Sequence, residues 1–454
     1  MAVNTAELVE RIWARDATVW TGGDESRWLG WLDEPGRMQE RTPELDSFAD
    51  SVRSDGFTDV VLAGMGGSSL APEVLRRTLG SESFHVIDTT HPDAIRALEE
   101  RVDLEQTLFL IASKSGGTLE TKSHMEYFWK RTGRRGEAFV AITDPGSSLE
   151  ATARERRFRE IWPGEPTIGG RYSALSVFGL VPAALMGAEL DALLGRAEEM
   201  VSACRSEESP GLQLGLSLGT GWLEGRDKVV INPNPGGFGL WVEQLFAEST
   251  GKQGKGLVPA PDESSEGADR QEARPEIAHA SDLGSEWFRF EFATAVAGAV
   301  MEINPFDQPN VQEAKDRTTE ILQERDEPSV DPVGSLDGLL GEARPGDYFC
   351  VQAFVNPTAE AEQRIEALRE RAAATAGIVT TGGFGPRYLH STGQLHKGGP
   401  ASGLFLQVLD DPEELSIPES PFGFRRLLRA QAAGDFDALR ERGRRVARIR
   451  WEDL

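Results

Sequence analysis

The chain has 454 residues, 39% of them hydrophobic, and a formal net charge of −26 from 48 basic and 74 acidic side chains. That length supports a large core divided into two or three compact units, and the acidity disfavours nucleic acid and anionic membranes as partners. With two cysteines, Cys204 and Cys350, and no apolar run near the ~20 residues that span a bilayer, neither a disulfide framework nor a membrane span is expected, and a reducing cytoplasm is the expected location.

Met1–Glu10 has no basic stretch followed by an apolar one, so it does not read as a signal peptide. Thr5–Gln39 predicts one or two helices with exposed Trp13, Trp20, Trp28 and Trp31, suited to packing or subunit contact. Val60–Ala63, Phe84–Ile87, Thr107–Ala112 and Ala138–Ile142 read as short buried strands. Between them lie the helical stretches Leu70–Leu79 and Leu119–Arg131. Such alternation predicts a parallel sheet covered on both faces.

The pattern then repeats. Ala174–Cys204 and Leu212–Glu224 are helical, Lys228–Ile231 is a strand, and Gly239–Glu248 is a helix. Pro259–Ala278 is polar and irregular, and reads as a loop that could act as a lid. Asp347–Val355, Ile378–Thr381 and Leu404–Val408 are strands, with a charged helix over Ala359–Ala376. The Arg-rich tail, Phe424–Trp451, reads as a basic helix pair.

Two loops carry ligand-binding chemistry. Gly64-Met65-Gly66-Gly67-Ser68-Ser69 joins a buried strand to a helix, where glycines allow close backbone approach and a helix start offers free N–H groups. Its spacing fits neither the dinucleotide fingerprint nor the nucleotide P-loop. Ser113-Lys114-Ser115-Gly116-Gly117-Thr118 repeats the arrangement with three hydroxyls and an ammonium. Two such loops at one edge of a parallel sheet predict an anion site, because ligands sit outside the carboxyl ends of such strands. The histidines and cysteines lack metal-ligand spacing, so no metal and no cofactor is expected.

These loops resemble the sugar-isomerase (SIS) domain. Gly169-Gly170-Arg171-Tyr172-Ser173 is similar to the phosphoglucose isomerase segment that presents an arginine to the sugar. Phe246-Ala247-Glu248-Ser249-Thr250-Gly251-Lys252 resembles that family's signature around its general base, with Ala247 and Thr250 where Met and Asn are usual. Asn304–Lys315 resembles the late signature that ends in an active-site lysine. The stretch His390–Gly399, with the Arg-rich tail, looks like the isomerase half of bacterial transaldolase–isomerase fusions.

The resemblance implies an α/β fold of two tandem SIS-type three-layer α/β/α domains with mostly parallel sheets, plus helical N- and C-terminal arms. The corresponding boundaries are an arm over 1–45, a first domain over 46–205, a second over 206–410 and a tail over 411–454. It also implies reversible aldose–ketose isomerisation of glucose 6-phosphate and fructose 6-phosphate, a step of glycolysis and gluconeogenesis, in a homodimer. Mannose-6-phosphate isomerisation and a non-catalytic sugar-phosphate sensor are the alternatives. By that resemblance Glu248 is the base, Arg171 stabilises the enediolate and Lys315 lies near the ring oxygen or the C1 hydroxyl. Gly67, Ser68, Ser113, Lys114, Ser115, Thr118, Gly170 and Gln308 bind the sugar phosphate. The ring-opening histidine is expected to be His396, with His390 as second candidate. His279 stands in the usual interval in a context that does not match, while His85, His91 and His124 read as surface or cap residues.

Overall fold

The computed structural model describes residues 5–324 and 327–454, and for residues 311–314 the backbone alone. Residues 1–4 of the Met1–Glu10 stretch, and the Val311–Ala314 side chains of the late signature, therefore lie outside the described residues. The first sheet contains β1 (Asp59–Gly64), β2 (Phe84–Ile87), β3 (Thr107–Ala112), β4 (Phe139–Thr143) and β5 (Glu160–Pro163). Its order is β2-β1-β3-β4-β5 and every pairing is parallel. The near-continuous apolar runs of β1 and β3 follow from burial on both faces. Gly64 pairs in register with Ala112, so both candidate loops leave the sheet at the same level.

The second half carries two smaller parallel sheets. One is β7-β6-β8, with β6 (Lys228–Ile231) between β7 (Val258–Pro261) and β8 (Arg270–Glu272). The other is β10-β9-β11-β12, built from β9 (Tyr348–Phe354), β10 (Val379–Phe384), β11 (Gly403–Leu409) and β12 (Arg445–Arg450). The Pro259–Ala278 loop expectation is corrected here, since that stretch holds the last part of β7 and all of β8. Pro259 and Pro261 hid β7, and they are tolerated because it pairs on one side only, as the edge of its sheet.

The tail is also corrected. It is one helix, Phe424–Glu441, followed by β12, which pairs in parallel with β11. Arginines along β12 suit an edge strand, where charge discourages further pairing. Arg448 turns inward, and its Nε donates to Gln407 at 2.7 Å.

The tryptophans of the N-terminal segment face their own chain. Trp20 is buried and donates to the Ala295 carbonyl at 2.8 Å. Trp31 is buried against Tyr172, with ring centroids 5.3 Å apart. Trp13 stacks near Phe288 and Phe292, both on the Asp282–Val300 helix. The exposed reading of Trp20 and Trp31 is thus overturned. The boundary drawn at residue 45 falls inside a helix, Thr42–Ser54. Among the described residues, no helix is long and apolar enough to cross a membrane.

Candidate functional site

In the Ser113–Thr118 loop, Ser113 and Thr118 share a hydrogen bond at 3.0 Å, and the Gly117 amide donates to the Ser115 hydroxyl at 3.3 Å. Gly116 takes φ +70°, a left-handed turn that suits glycine. Thr118 then stands at the N-cap position, without a capping bond, of Leu119–Arg131, a 13-residue helix whose free N–H groups favour an anion. Lys114 departs from the cradle expectation. Its Nζ donates to both oxygens of Asp144, at 2.8 and 2.7 Å, and to the Glu165 carbonyl at 2.8 Å. Its charge is therefore spent within the protein.

The Gly64–Ser69 loop is buried, and its glycines serve backbone packing. A Cβ on Gly67 would lie 2.0 Å from the Gly170 carbonyl oxygen, so the loop and the Gly169–Ser173 segment touch main chain to main chain. Ser173 donates to the Gly170 carbonyl at 2.6 Å, which tightens that turn. Ser68 is buried beside Gly67. Gly66, at φ +57°, has the His390 carbonyl on one side and the Gln244 amide on the other, 2.6 and 2.9 Å from a built Cβ.

Gln244 leads directly to Glu248 on the Gly239–Thr250 helix. One turn apart, the Gln244 Nε2 donates to Glu248 Oε2 at 2.8 Å. Glu248 is 8% exposed, which leaves a carboxylate that is shielded but reachable. Arg171 Nη1 lies 3.8 Å from Glu248 Oε2. Four other bonds fix the guanidinium: Nε to Ser249 at 2.7 Å, Nη1 to Gln308 at 2.6 Å, and Nη2 to the Pro305 and Asp307 carbonyls at 2.8 and 3.0 Å. So Arg171 and Gln308, 137 positions apart in the chain, meet beside Glu248. Lys252 pins the same turn by donating to the Asn304 carbonyl at 2.7 Å.

A second side-chain pair stands beside Gly66. His390 Nε2 lies 2.7 Å from Glu120 Oε1, and the Gln431 amide donates to that same oxygen at 2.7 Å. Burial alone would raise the Glu120 pKa, but the charge and hydrogen bond of His390, with Lys315 nearby, bring it down to about 2. Glu120 is thus held ionised at any ordinary pH. This pair lines a cavity of about 290 Å³ together with Ser115, Thr118 and Lys315. Glu248 and Arg171 are not in its wall, and they connect to it through Gln244 and Gly66.

His396 is placed elsewhere. It is buried in the second half, with Gln352 at 3.2 Å from its Nδ1 and Phe405 at 4.8 Å between rings. Burial pushes its pKa far down, with the charges of Lys397 and Arg444 acting the same way. His279 caps no part of the cavity; its backbone amide donates to Asp282. His85, His91 and His124 are buried rather than surface residues, though His91 does cap a helix by accepting from the Asp93 amide.

Glu120, Gln244 and Gln431 escaped the sequence reading. Glu120 carried a usable signal, since it falls in the first turn of the helix that opens on the cradle. The other two gained meaning only from their partners in space.

The parallel α/β scaffold carries an anion-ready loop and, linked to it through Gln244 and Gly66, a carboxylate–guanidinium pair. Residues 37–209 match the family model for phosphoglucose isomerase. The chain is 34% identical to a glucose-6-phosphate isomerase of Cyanothece sp. over 266 residues, 51% of this chain and 50% of the relative. A glucose-6-phosphate isomerase of Citrifermentans bemidjiense is also 34% identical, over 269 residues and half of each chain. The chain thus spans about half the length of the curated relatives it matches.

Two solved structures share the fold. A glucose-6-phosphate isomerase from Chlamydia trachomatis has a TM-score of 0.57 at 19% identity, over 70% of this chain and 83% of that one. A hypothetical protein from Thermus thermophilus has a TM-score of 0.50 at 22% identity, over 98% of this chain and 83% of that one.

Proposed function

We propose that the protein interconverts glucose 6-phosphate and fructose 6-phosphate by proton transfer through an enediol. The observation that carries this reading is that Gly66 touches both the Gln244 amide that holds Glu248, beside Arg171, and the His390 carbonyl, whose ring pairs with Glu120. An aldose–ketose isomerisation needs one base to move a proton between adjacent carbons, and positive charge where the enediolate forms. Glu248 is that base, held by Gln244 in a largely dry position. Arg171 is the electrostatic stabiliser, since its many bonds fix its direction before substrate arrives.

Ring opening needs a second proton-transfer group. His390, oriented by the carboxylate of Glu120, takes that role in this reading, in place of His396. Lys315 shares the cavity wall with the pair and acts on the Glu120 carboxylate. Ser115 and Thr118, with the helix start behind them, hold the phosphate.

A coupled assay on fructose 6-phosphate tests the assignment. Glu248→Gln keeps the side-chain shape and removes the base, so turnover is expected to fall by about 10²–10⁴-fold with folding intact. A folded variant with wild-type turnover would sink the mechanism.

A further inference from the structure

A separate cavity of about 500 Å³ lies at the seam between the two smaller sheets. Thr381–Phe384 of β10 and Asp262, just past β7, contribute to its wall. These strands are the facing edges of their sheets, in contact but not joined by a ladder. Side chains lace them instead: Glu263 accepts from the Thr380 amide at 2.9 Å, and Arg369 reaches the Thr380 carbonyl at 3.2 Å. The carboxyl ends of parallel strands, beside a break in a sheet, are where α/β folds hold ligands.

Most charged groups of this cavity are already paired. Arg77 donates to Glu73 at 2.7 Å, Arg387 makes two bonds to Asp88 at 2.7 and 2.9 Å, and Arg369 donates to Glu366 at 2.7 Å. Asp262 accepts from Asn234 at 2.8 Å, and Glu362 is exposed at the rim. The Cys350 thiol is neutral, because burial pushes it up to about 12. Glu243, on the Gly239–Thr250 helix, stands apart: its carboxyl has no hydrogen-bond or ion-pair partner among the described residues. Burial pushes its pKa up to about 8, even though Arg369 and Arg387 act to lower it. Arg369 also holds a buried Nε with no acceptor.

We propose that this cavity binds a small hydrophilic molecule carrying a primary ammonium group, with the Glu243 carboxylate as its counter-ion. Arg369 and Arg387 are met by carboxylates and Arg77 shares Glu73 with Arg76, so the group left without a partner away from the rim is the Glu243 carboxyl, whose ionised form selects a cation. A hydroxyl beside the ammonium would supply the oxygen that the Arg369 Nε lacks. Binding must ionise Glu243, so it releases a proton and strengthens as pH rises towards and past 8.

Three isosteric probes test this by calorimetry on the full chain: 3-aminopropane-1,2-diol, glycerol and glycerate. The amine is expected to bind, with affinity rising about eightfold from pH 7 to pH 8.5 and a proton released to buffer. Glycerol and glycerate are expected not to bind, and Glu243→Gln is expected to abolish binding of the amine. No binding of the amine, equal or tighter binding of either other probe, or unchanged affinity in a folded Glu243→Gln would overturn the proposal. If that variant does not fold, the wild-type protein decides alone, and amine binding without proton release overturns it.

Discussion

At the scale of single residues, the two histidines of one short stretch have opposite fates. His390 and His396 lie six positions apart, yet only His390 reaches the cavity. His396 faces inward, and burial keeps it neutral. His390→Asn is therefore expected to lower turnover of ring-closed fructose 6-phosphate by about 10²-fold. His396→Asn should act mainly on the thermal midpoint. Steady-state kinetics beside thermal melts separate the two, and a reversed pattern would restore His396. The sequence could not choose between them, because the partner of His390 is 270 positions away. Lys114 is a similar case. Its place in a hydroxyl-rich loop predicted a phosphate ligand, but Asp144 holds it. Lys114→Gln should leave KM for the sugar phosphate within about threefold and lower stability by about 1 kcal/mol, as removal of a half-buried ion pair does.

At the scale of elements, local chemistry was legible and lateral chemistry was not. The strands β1, β2, β3 and β6 read from the sequence because each is an apolar run bounded by turn residues. The loops after β1 and β3 read because glycine and hydroxyl residues cluster there. Edge strands β5, β7, β8 and β12 were lost, since they are short, interrupted by proline or rich in charge. The glycines of the first loop suggest room for a ligand, and Gly67 also makes room for Gly170, a demand that local sequence does not reveal. Gly67→Ala would force that contact apart, and should destabilise the fold by about 1–3 kcal/mol. Chemical denaturation measures this, and an unperturbed midpoint would show that the loops can separate without cost.

At the scale of the whole molecule, acidity extends into the interior. Burial pushes Glu34 up to about 7, with Glu165 adding to the rise and Arg37 opposing it. Glu291 is also pushed well up, through complete burial and the nearby charge of Glu34. Glu243 reaches about 8. Each binds its proton more tightly in the folded chain than in the unfolded one, where 4.5 is the ordinary value. Between those limits the folded state holds more protons, so its stability falls as pH rises from about 4.5 to about 8. Thermal melts across that window should show the decline. Glu291→Gln should flatten it, because an amide has no proton to lose. An equal slope in the variant would place the pH dependence elsewhere.

The close packing at Gly66 bears on how such a site is assembled. One wall of the site belongs to the first sheet's loops, and the other to segments that arrive after residue 240. Neither portion holds both proposed proton-transfer groups with their partners, because Glu120 and Arg171 come from one and Glu248 and His390 from the other. Under the proposed mechanism neither portion alone is expected to turn over the sugar phosphate, and the two supplied together as separate chains are expected to restore turnover.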